Sequence, residues 1–310
     1  MKVLVTGGAG FIGSSLADRL VEKGYEVIVV DNLVVGNKAY IHSEIKFYQA
    51  DITDLARLKE IFSAEKPEVV YHLAAQTALR ESIVDPLGDA RTNILGTISV
   101  LEACKHSNVR KIIYTSTGGA RVGEPEYLPV DENHPIKPTS PYGISKHSAE
   151  HYVETYAVLH GIELEHLIFC FGNAYGPRDS PETKRLVPLF MDMIQKDVTP
   201  KIFGDGLQTR DFIYSGDLVN FMVDSIDKNP KAKLFHLAMG IQTSVNKVYD
   251  TLREVTNFER DAKRIEAVAG EVRDIVLDIK LAQEQLGWNP ETDLKSGIQK
   301  TWEWLNSGKK

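Results

Sequence analysis

Through the first half of the chain, short apolar runs alternate with segments of helical periodicity, and the first turn between them is built from glycine. Val3–Thr6 is an apolar run stopped by Gly7 and Gly8. Phe11–Lys23 follows with Phe11, Ile12, Leu16, Leu20 and Val21 at helical spacing, and Gly24 supplies a stop. The same reading predicts strands at Glu26–Val30, Lys46–Gln49, Val69–Leu73, Lys111–Ser116 and Leu164–Phe171. It predicts helices at Asp54–Ser63, Asp89–His106 and Ser145–His160. The strands are apolar throughout rather than alternating, as expected where helices cover both faces of a sheet. The fold class implied is α/β, a Rossmann-type doubly wound parallel sheet. Beyond about residue 172 the pattern loosens into helices at Leu186–Gln195, Val245–Thr256, Leu281–Leu286 and Leu294–Leu305. A smaller, mostly helical C-terminal region, packed closely on the first, fits that change.

Composition narrows the class of function. Of 310 residues, 43% are apolar and 25% charged, which excludes a disordered chain, a fibre or a coiled coil. The net charge of −7 gives no pull toward nucleic acid or an anionic membrane. No apolar run approaches the ~18 residues that a membrane span requires. No signal-peptide pattern opens the chain, so a cytoplasmic location is expected. Cys104 and Cys170 each stand in an apolar run and are expected as buried thiols. No metal site is expected.

The glycine turn carries the first chemistry. Gly8-x-Gly10-x-x-Gly13 lies between a predicted strand and a predicted helix. Glycine there permits a tight turn and lets backbone approach a pyrophosphate at a helix N-terminus, where free N–H groups favour anions. Asp31 closes the second strand eighteen residues beyond Gly13, where a carboxylate can bond the adenosine ribose and repel a 2′-phosphate. NAD is therefore favoured over NADP. Asp51, at the end of the third strand, is the next candidate for the adenine side.

A second cluster follows the fifth strand, which ends Thr115-Ser116-Thr117-Gly118-Gly119. Hydroxyls leaving the C-terminal end of a strand face the crevice in which such sheets bind ligands. About 25 residues on, Tyr142 and Lys146 are spaced i, i+4 and so share one helical face. A free phenol titrates near ~10. An ammonium and a positive nicotinamide beside it would bring it toward a working general base. Ser116 or Thr117 would hold the substrate hydroxyl that Tyr142 deprotonates.

These strings, with Asp31-Asn32, Asp51-Ile52, His72-Leu-Ala-Ala-Gln76, Asn93, Asn173-Ala-Tyr-Gly-Pro177, Phe203-Gly-Asp-Gly206, Gln208-Thr-Arg-Asp-Phe212 and Leu286-Gly-Trp-Asn-Pro290, resemble the extended short-chain dehydrogenase/reductases. The resemblance is greatest to the UDP-glucose (UDP-galactose) 4-epimerases and covers nearly the whole chain. It implies an NAD site formed by Gly7, Gly10, Phe11, Ile12, Gly13, Asp31, Asn32, Asp51, Ile52, Leu73, Ala74, Ala75, Gln76 and Asn93, with Tyr142 and Lys146. It implies that Tyr142, Lys146, Thr117 and Ser116 are catalytic. It also implies that Thr117, Asn173, Val187, Phe203, Gln208, Arg210 and Glu271 contact a UDP-hexose. The expected units are residues 1–172, with a return segment around 212–240, for NAD, and 173–310 for substrate. A homodimer through the helices at Asp89–His106 and Ser145–His160 is expected from the same resemblance.

The chain departs from the family pattern in three places. Cys170 stands where an arginine is usual. Val268 stands where a diphosphate-binding arginine is usual, with Arg273 or Lys184 as candidates to replace it. The loop after the fifth strand reads Ser-Thr-Gly-Gly rather than the commoner serine-rich form, and Thr117 is preferred over Ser116 as the catalytic hydroxyl. Relatives that dehydrate or decarboxylate nucleotide sugars carry an acid beside the catalytic threonine. Gly118 and Gly119 offer none, which argues for redox without elimination. Ile275 falls near a position that limits the size of the sugar 2-substituent. Competing readings are another nucleotide-sugar enzyme, such as a UDP-glucuronate epimerase or a keto-sugar reductase, and a non-catalytic NAD-binding scaffold.

Overall fold

The protein is described by a computed structural model covering residues 1–159, 164–267 and 272–308. In chain order the first half comprises β1 (Lys2–Thr6), α1 (Phe11–Glu22), β2 (Glu26–Asp31), β3 (Lys46–Gln49), α2 (Leu55–Glu65) and β4 (Val69–His72). Next come α3 (Leu79–Val84), α4 (Pro86–Ala90), a π-helical turn at Arg91–Leu95, α5 (Gly96–His106), β5 (Lys111–Thr117), α6 (Gly118–Val122), α7 (Pro141–Leu159) and β6 (Glu165–Phe171). The remainder holds β7 (Asn173–Tyr175), α8 (Leu186–Gln195), β8 (Lys201–Phe203), β9 (Thr209–Arg210), β10 (Phe212–Tyr214) and α9 (Ser215–Asp224). It ends with β11 (Leu234–Leu237), β12 (Thr243–Ser244), α10 (Val245–Thr256), β13 (Lys263–Ile265), α11 (Lys280–Leu286) and α12 (Leu294–Asn306).

Seven strands form one sheet in the order β3-β2-β1-β4-β5-β6-β11, and every pair is parallel. The chain winds outward from β1 to β3, then returns to place β4 on the other side of β1. The C-terminal ends of β1 and β4 therefore flank the point where the winding reverses, the usual ligand crevice of such sheets. Neighbouring residues of one strand feed opposite layers because side chains alternate. Val3, Val5, Val27, Val29 and Ile113 pack with α1, α9 and α11 on one face. Leu4, Ile28, Val30, Ile112 and Tyr114 pack with α2, α5 and α7 on the other. Continuous apolar strands are thus the direct consequence of burial on both sides.

A separate core of Val187, Phe190, Met191, Val248, Leu252 and Ile298 joins α8, α10 and α12 beyond the carboxyl edge of the sheet. The chain returns between the two bodies: β10 pairs with β7, α9 packs on the α1 face, and β11 joins the sheet beside β6.

Four local readings need correction. The expected helix at Asp89–His106 begins at Pro86 and is interrupted by the π-helical turn. The helix carrying Tyr142 and Lys146 starts at Pro141 rather than Ser145, with Ser140 Oγ accepting Gly143 N–H. The short helices α3 and α6 lack enough apolar period to be read from sequence. The small pairs β7–β10, β9–β12 and β8–β13 in the second body are too short to leave a strand pattern.

Candidate active site

The glycine turn is a cradle open on one side. Gly7 adopts φ 68°, and a Cβ on it would lie 2.7 Å from Ala74 N. A Cβ on Gly13 would collide with the Gly7 carbonyl, so α1 could not pack this closely on the turn. Gly10 makes only one contact of that kind, 3.2 Å to Gly7 O, and faces open space. Ser14 N–H is the first to find a helical carbonyl. The N–H groups of Phe11, Ile12 and Gly13 are left for a ligand, since a helix leaves its first donors without internal partners. Asp31 accepts Ala9 N–H at 3.0 Å and Leu33 N–H at 2.8 Å, one on each oxygen, and each oxygen keeps acceptor capacity. Asn32 donates to Asp51 at 2.8 Å, and Asp51 also accepts from Thr53. Three donors without helical partners, an open glycine and a terminal aspartate fit a dinucleotide.

Ile52 and Asn93 are both buried. Ile52 fills the space left by the absent side chain of Gly96. Asn93 is 1% exposed and bonds Gln76 N, Gln76 O, Asp89 Oδ1 and Ser145 Oγ. Through Gln76, Asn93 braces the 73–76 loop. Leu73, Ala74, Ala75 and Gln76 run past the glycine turn, with Ala74 N–H donating to Thr6 Oγ1 at 3.3 Å.

The reactive cluster lies across the crevice from the cradle. The Thr117 hydroxyl lies close enough to the Tyr142 phenol to favour its phenolate. Burial pushes that phenol up to about 12, while the charge of Arg185 and the Thr117 hydroxyl act the other way. Ser116 instead donates to Glu150, about two helical turns beyond Tyr142 on α7. With the Ser116 hydroxyl engaged by that buried carboxylate, Thr117 is the hydroxyl left beside Tyr142. Lys146 also departs from expectation. Its side chain is 3% exposed, and Nζ lies 4.2 Å from the centre of the Tyr114 ring. Burial lowers its pKa to about 7, against the pull of Glu150 and Asp89. The ammonium is thus held by a π face and acidic neighbours rather than directly by the phenol.

Behind this cluster, Arg121 on α6 pairs with Glu150 at 3.3 Å and lies 3.8 Å from Cys170 Sγ. A guanidinium from α6 therefore serves the place beside Cys170. Gly118 and Gly119 are closed off by Leu277 and Ile275, with Ile275 Cγ1 3.3 Å from where a Gly119 Cβ would be. Ile275 is itself buried, so it acts on the crevice through Gly119. One histidine pair was overlooked in the sequence: His147 and His151, i and i+4 on α7, bring their Nε2 atoms to 3.3 Å. Among the described residues no group of three or more metal-binding side chains occurs.

The second body closes the crevice. Asn173 is exposed where β6 runs into β7. Val187 is 2% exposed with its side chain in the second core, and its backbone N–H stands in the first turn of α8, where a helix leaves donors without internal partners. Phe203 lies under Arg80 at 5.5 Å, and Gln208 bonds the Phe203 carbonyl at 3.1 Å. Arg210 donates to the Thr209 and Arg273 carbonyls. Arg273 is committed to Asp205 at 2.9 Å, and Lys184 faces Glu81 at the surface. Glu271 and Val268 lie outside the described residues.

A dinucleotide cradle facing a Thr-Tyr-Lys cluster at the carboxyl edge of this sheet defines a short-chain dehydrogenase/reductase. The chain matches the GDP-mannose 4,6 dehydratase family over residues 4–301. It is 44% identical over 306 residues to a protein of Methanocaldococcus jannaschii named "Putative UDP-glucose 4-epimerase", covering 98% of each chain. The structure of UDP-glucose 4-epimerase with UDP-glucose from Thermotoga maritima superposes with a TM-score of 0.95 at 38% identity, over 98% of each chain. That of Thermus thermophilus UDP-glucose 4-epimerase with NAD superposes at 0.90 and 31% identity, over 99% of this chain and 100% of the other. The protein belongs to the extended short-chain dehydrogenase/reductases, in the family of the UDP-glucose 4-epimerases. Among its described residues no helix is long and apolar enough to cross a membrane.

Proposed function

We propose that the protein is an NAD-dependent epimerase that inverts C4 of a UDP-hexose, with UDP-galactose and UDP-glucose as the default pair. The observation that carries this reading is the Tyr142–Thr117 hydroxyl pair opposite the glycine cradle, beside a Gly118-Gly119 turn that offers no carboxylate. NAD, when bound, supplies a reversible acceptor for the C4 hydrogen with its electron pair and a positive ring that favours the phenolate.

The chain's own residues do the rest. Phe11, Ile12 and Gly13 N–H hold the cofactor pyrophosphate, and Asp31 holds the adenosine ribose and rejects a 2′-phosphate. Tyr142 takes the C4 hydroxyl proton, with Thr117 holding that hydroxyl in line, and returns it after the sugar has turned over as a 4-ketone. Lys146 biases Tyr142 toward phenolate. Asn173, Phe203, Gln208, Arg210 and Glu271, with the Val187 N–H, bind the nucleotide. Binding energy concentrated on the nucleotide leaves the sugar free to rotate. Residues 1–172 with the segment around 212–240 form the cofactor unit, and the rest of 173–310 the substrate unit. Ile275, neither small nor large, is compatible with N-acetylated sugars as a second substrate class.

Exposed Leu95 after α4, with Tyr152 and Val158 on α7, gives the two helices an apolar outer face suited to a second copy of this chain. The reaction would be cytoplasmic. The test is to incubate the protein with NAD and UDP-galactose and assay UDP-glucose. Conversion that is lost in Tyr142→Phe supports the reading. No conversion, or a Tyr142→Phe variant as active as the parent, removes it. Stoichiometric consumption of reduced cofactor would mark a reductase instead.

A further inference from the structure

Arg185 precedes α8 and reaches from the second body into the crevice. One edge of its guanidinium is anchored: Nη2 donates to Asp179, and Nε lies 3.3 Å from Thr183 Oγ1. Its Cζ lies 4.9 Å from the centre of the Phe11 ring. Phe11 directly follows Gly10, so the guanidinium hangs over the N-terminus of α1, where three N–H groups lack helical partners. On its other side its charge reaches the Tyr142 phenol. Its side chain is 37% exposed, and among the described residues no group accepts from Nη1. Asp179, which anchors it, has a side chain only 1% exposed.

This is the arrangement of a preorganised anion clamp. A planar fork fixed on one edge presents its remaining donors at low entropic cost, and its geometry matches phosphate oxygens. The other cations near the crevice are differently engaged: Arg273 on Asp205, Lys184 near Glu81, and Arg210 on backbone carbonyls. Val268 brings no charge. The first turn of α8 adds the Leu186 and Val187 N–H groups directly beside Arg185.

We propose that Arg185 is a pyrophosphate-binding residue, its free edge taking the diphosphate of the nucleotide sugar and supplying the cation that Val268 does not. This rests on the epimerase reading above. A dinucleotide also carries a pyrophosphate, so the experiment separates the two sources.

Holoenzyme is titrated with UDP and, as a phosphate-free control, with uridine, and release of bound NAD is timed in parallel. The variants are Arg185→Lys, Arg185→Ala, and Arg185→Ala combined with Asp179→Asn, which keeps a buried carboxylate from standing alone. UDP affinity is expected to fall about tenfold or more in both alanine variants, the worth of charge-assisted hydrogen bonds. Lysine should recover part of it, with uridine binding and NAD release unchanged. Unchanged UDP affinity overturns the proposal. Equal losses for UDP and uridine overturn it by showing a purely structural role. Faster NAD release at unchanged UDP affinity overturns the assignment to the sugar nucleotide and gives Arg185 to the cofactor. Failure of the parent to bind UDP would instead sink the epimerase reading itself.

Discussion

Glu150→Gln tests how the reactive cluster is supported. Glu150 is buried; it pairs with Arg121 at 3.3 Å, accepts from Ser116, and faces His147 Nδ1 at 2.9 Å. Glutamine can still accept from Ser116, but it leaves the buried Arg121 guanidinium without a counter-charge. Breaking a buried pair on one side costs about 3–5 kcal/mol. For a chain of this size that lowers Tm by on the order of 10 °C. Arg121→Met in the same chain removes the stranded charge, so the double variant should regain most of the loss, a strongly non-additive result. Urea and thermal unfolding of the parent, both single variants and the double variant at one pH would measure it. Glu150 also favours the Lys146 ammonium, so Glu150→Gln should lower the Lys146 pKa further and move the alkaline-side dependence of activity downward in pH. A Glu150→Gln variant within about 0.5 kcal/mol of the parent, or a double variant showing simple additivity, would refute the account of this network.

Three further outcomes are expected. Tyr142→Phe should lower kcat by about 10²–10⁴ while UDP still binds, as steady-state kinetics and calorimetry would show. Gly13→Ala, whose Cβ would strike the Gly7 carbonyl, should yield protein that does not retain NAD, checked by the cofactor-to-protein absorbance ratio after purification. His72 is fully buried between Thr6 and Thr97, and burial lowers its pKa to about 3. The unfolded chain takes up that proton below about 6.5, so stability falls as pH drops from there toward 3. Between pH 6 and 4 the parent should lose about 1.4 kcal/mol more per pH unit than His72→Gln; equal slopes in urea titrations would count against it.

The parts that local pattern could reveal were legible in the sequence. Strands buried on both faces leave continuous apolar runs, and Gly7, Gly10 and Gly13 mark a turn whose glycines are demanded by close backbone approach. Asp31 follows from strand length, and the i, i+4 spacing of Tyr142 and Lys146 from helical period. What sequence spacing could not supply is direction and distant partners. Whether Ser116 or Thr117 meets Glu150 or Tyr142 depends on where α7 packs. The acidic and aromatic neighbours that draw Lys146 onto Tyr114 come from several elements. Arg121 beside Cys170 and Arg185 above Phe11 are long-range contacts with no local signature. The His147–His151 pair, at i and i+4 on α7, does carry a local signature in its spacing.

The central claim is that hydrogen leaves and returns to C4 without the neighbouring carbons exchanging with solvent. Incubating the protein with UDP-galactose in heavy water and examining the product by NMR and mass spectrometry tests it most directly. The account predicts UDP-glucose with no carbon-bound deuterium. Deuterium at C3 or C5, or recovery of unchanged UDP-galactose with NAD supplied, would contradict it.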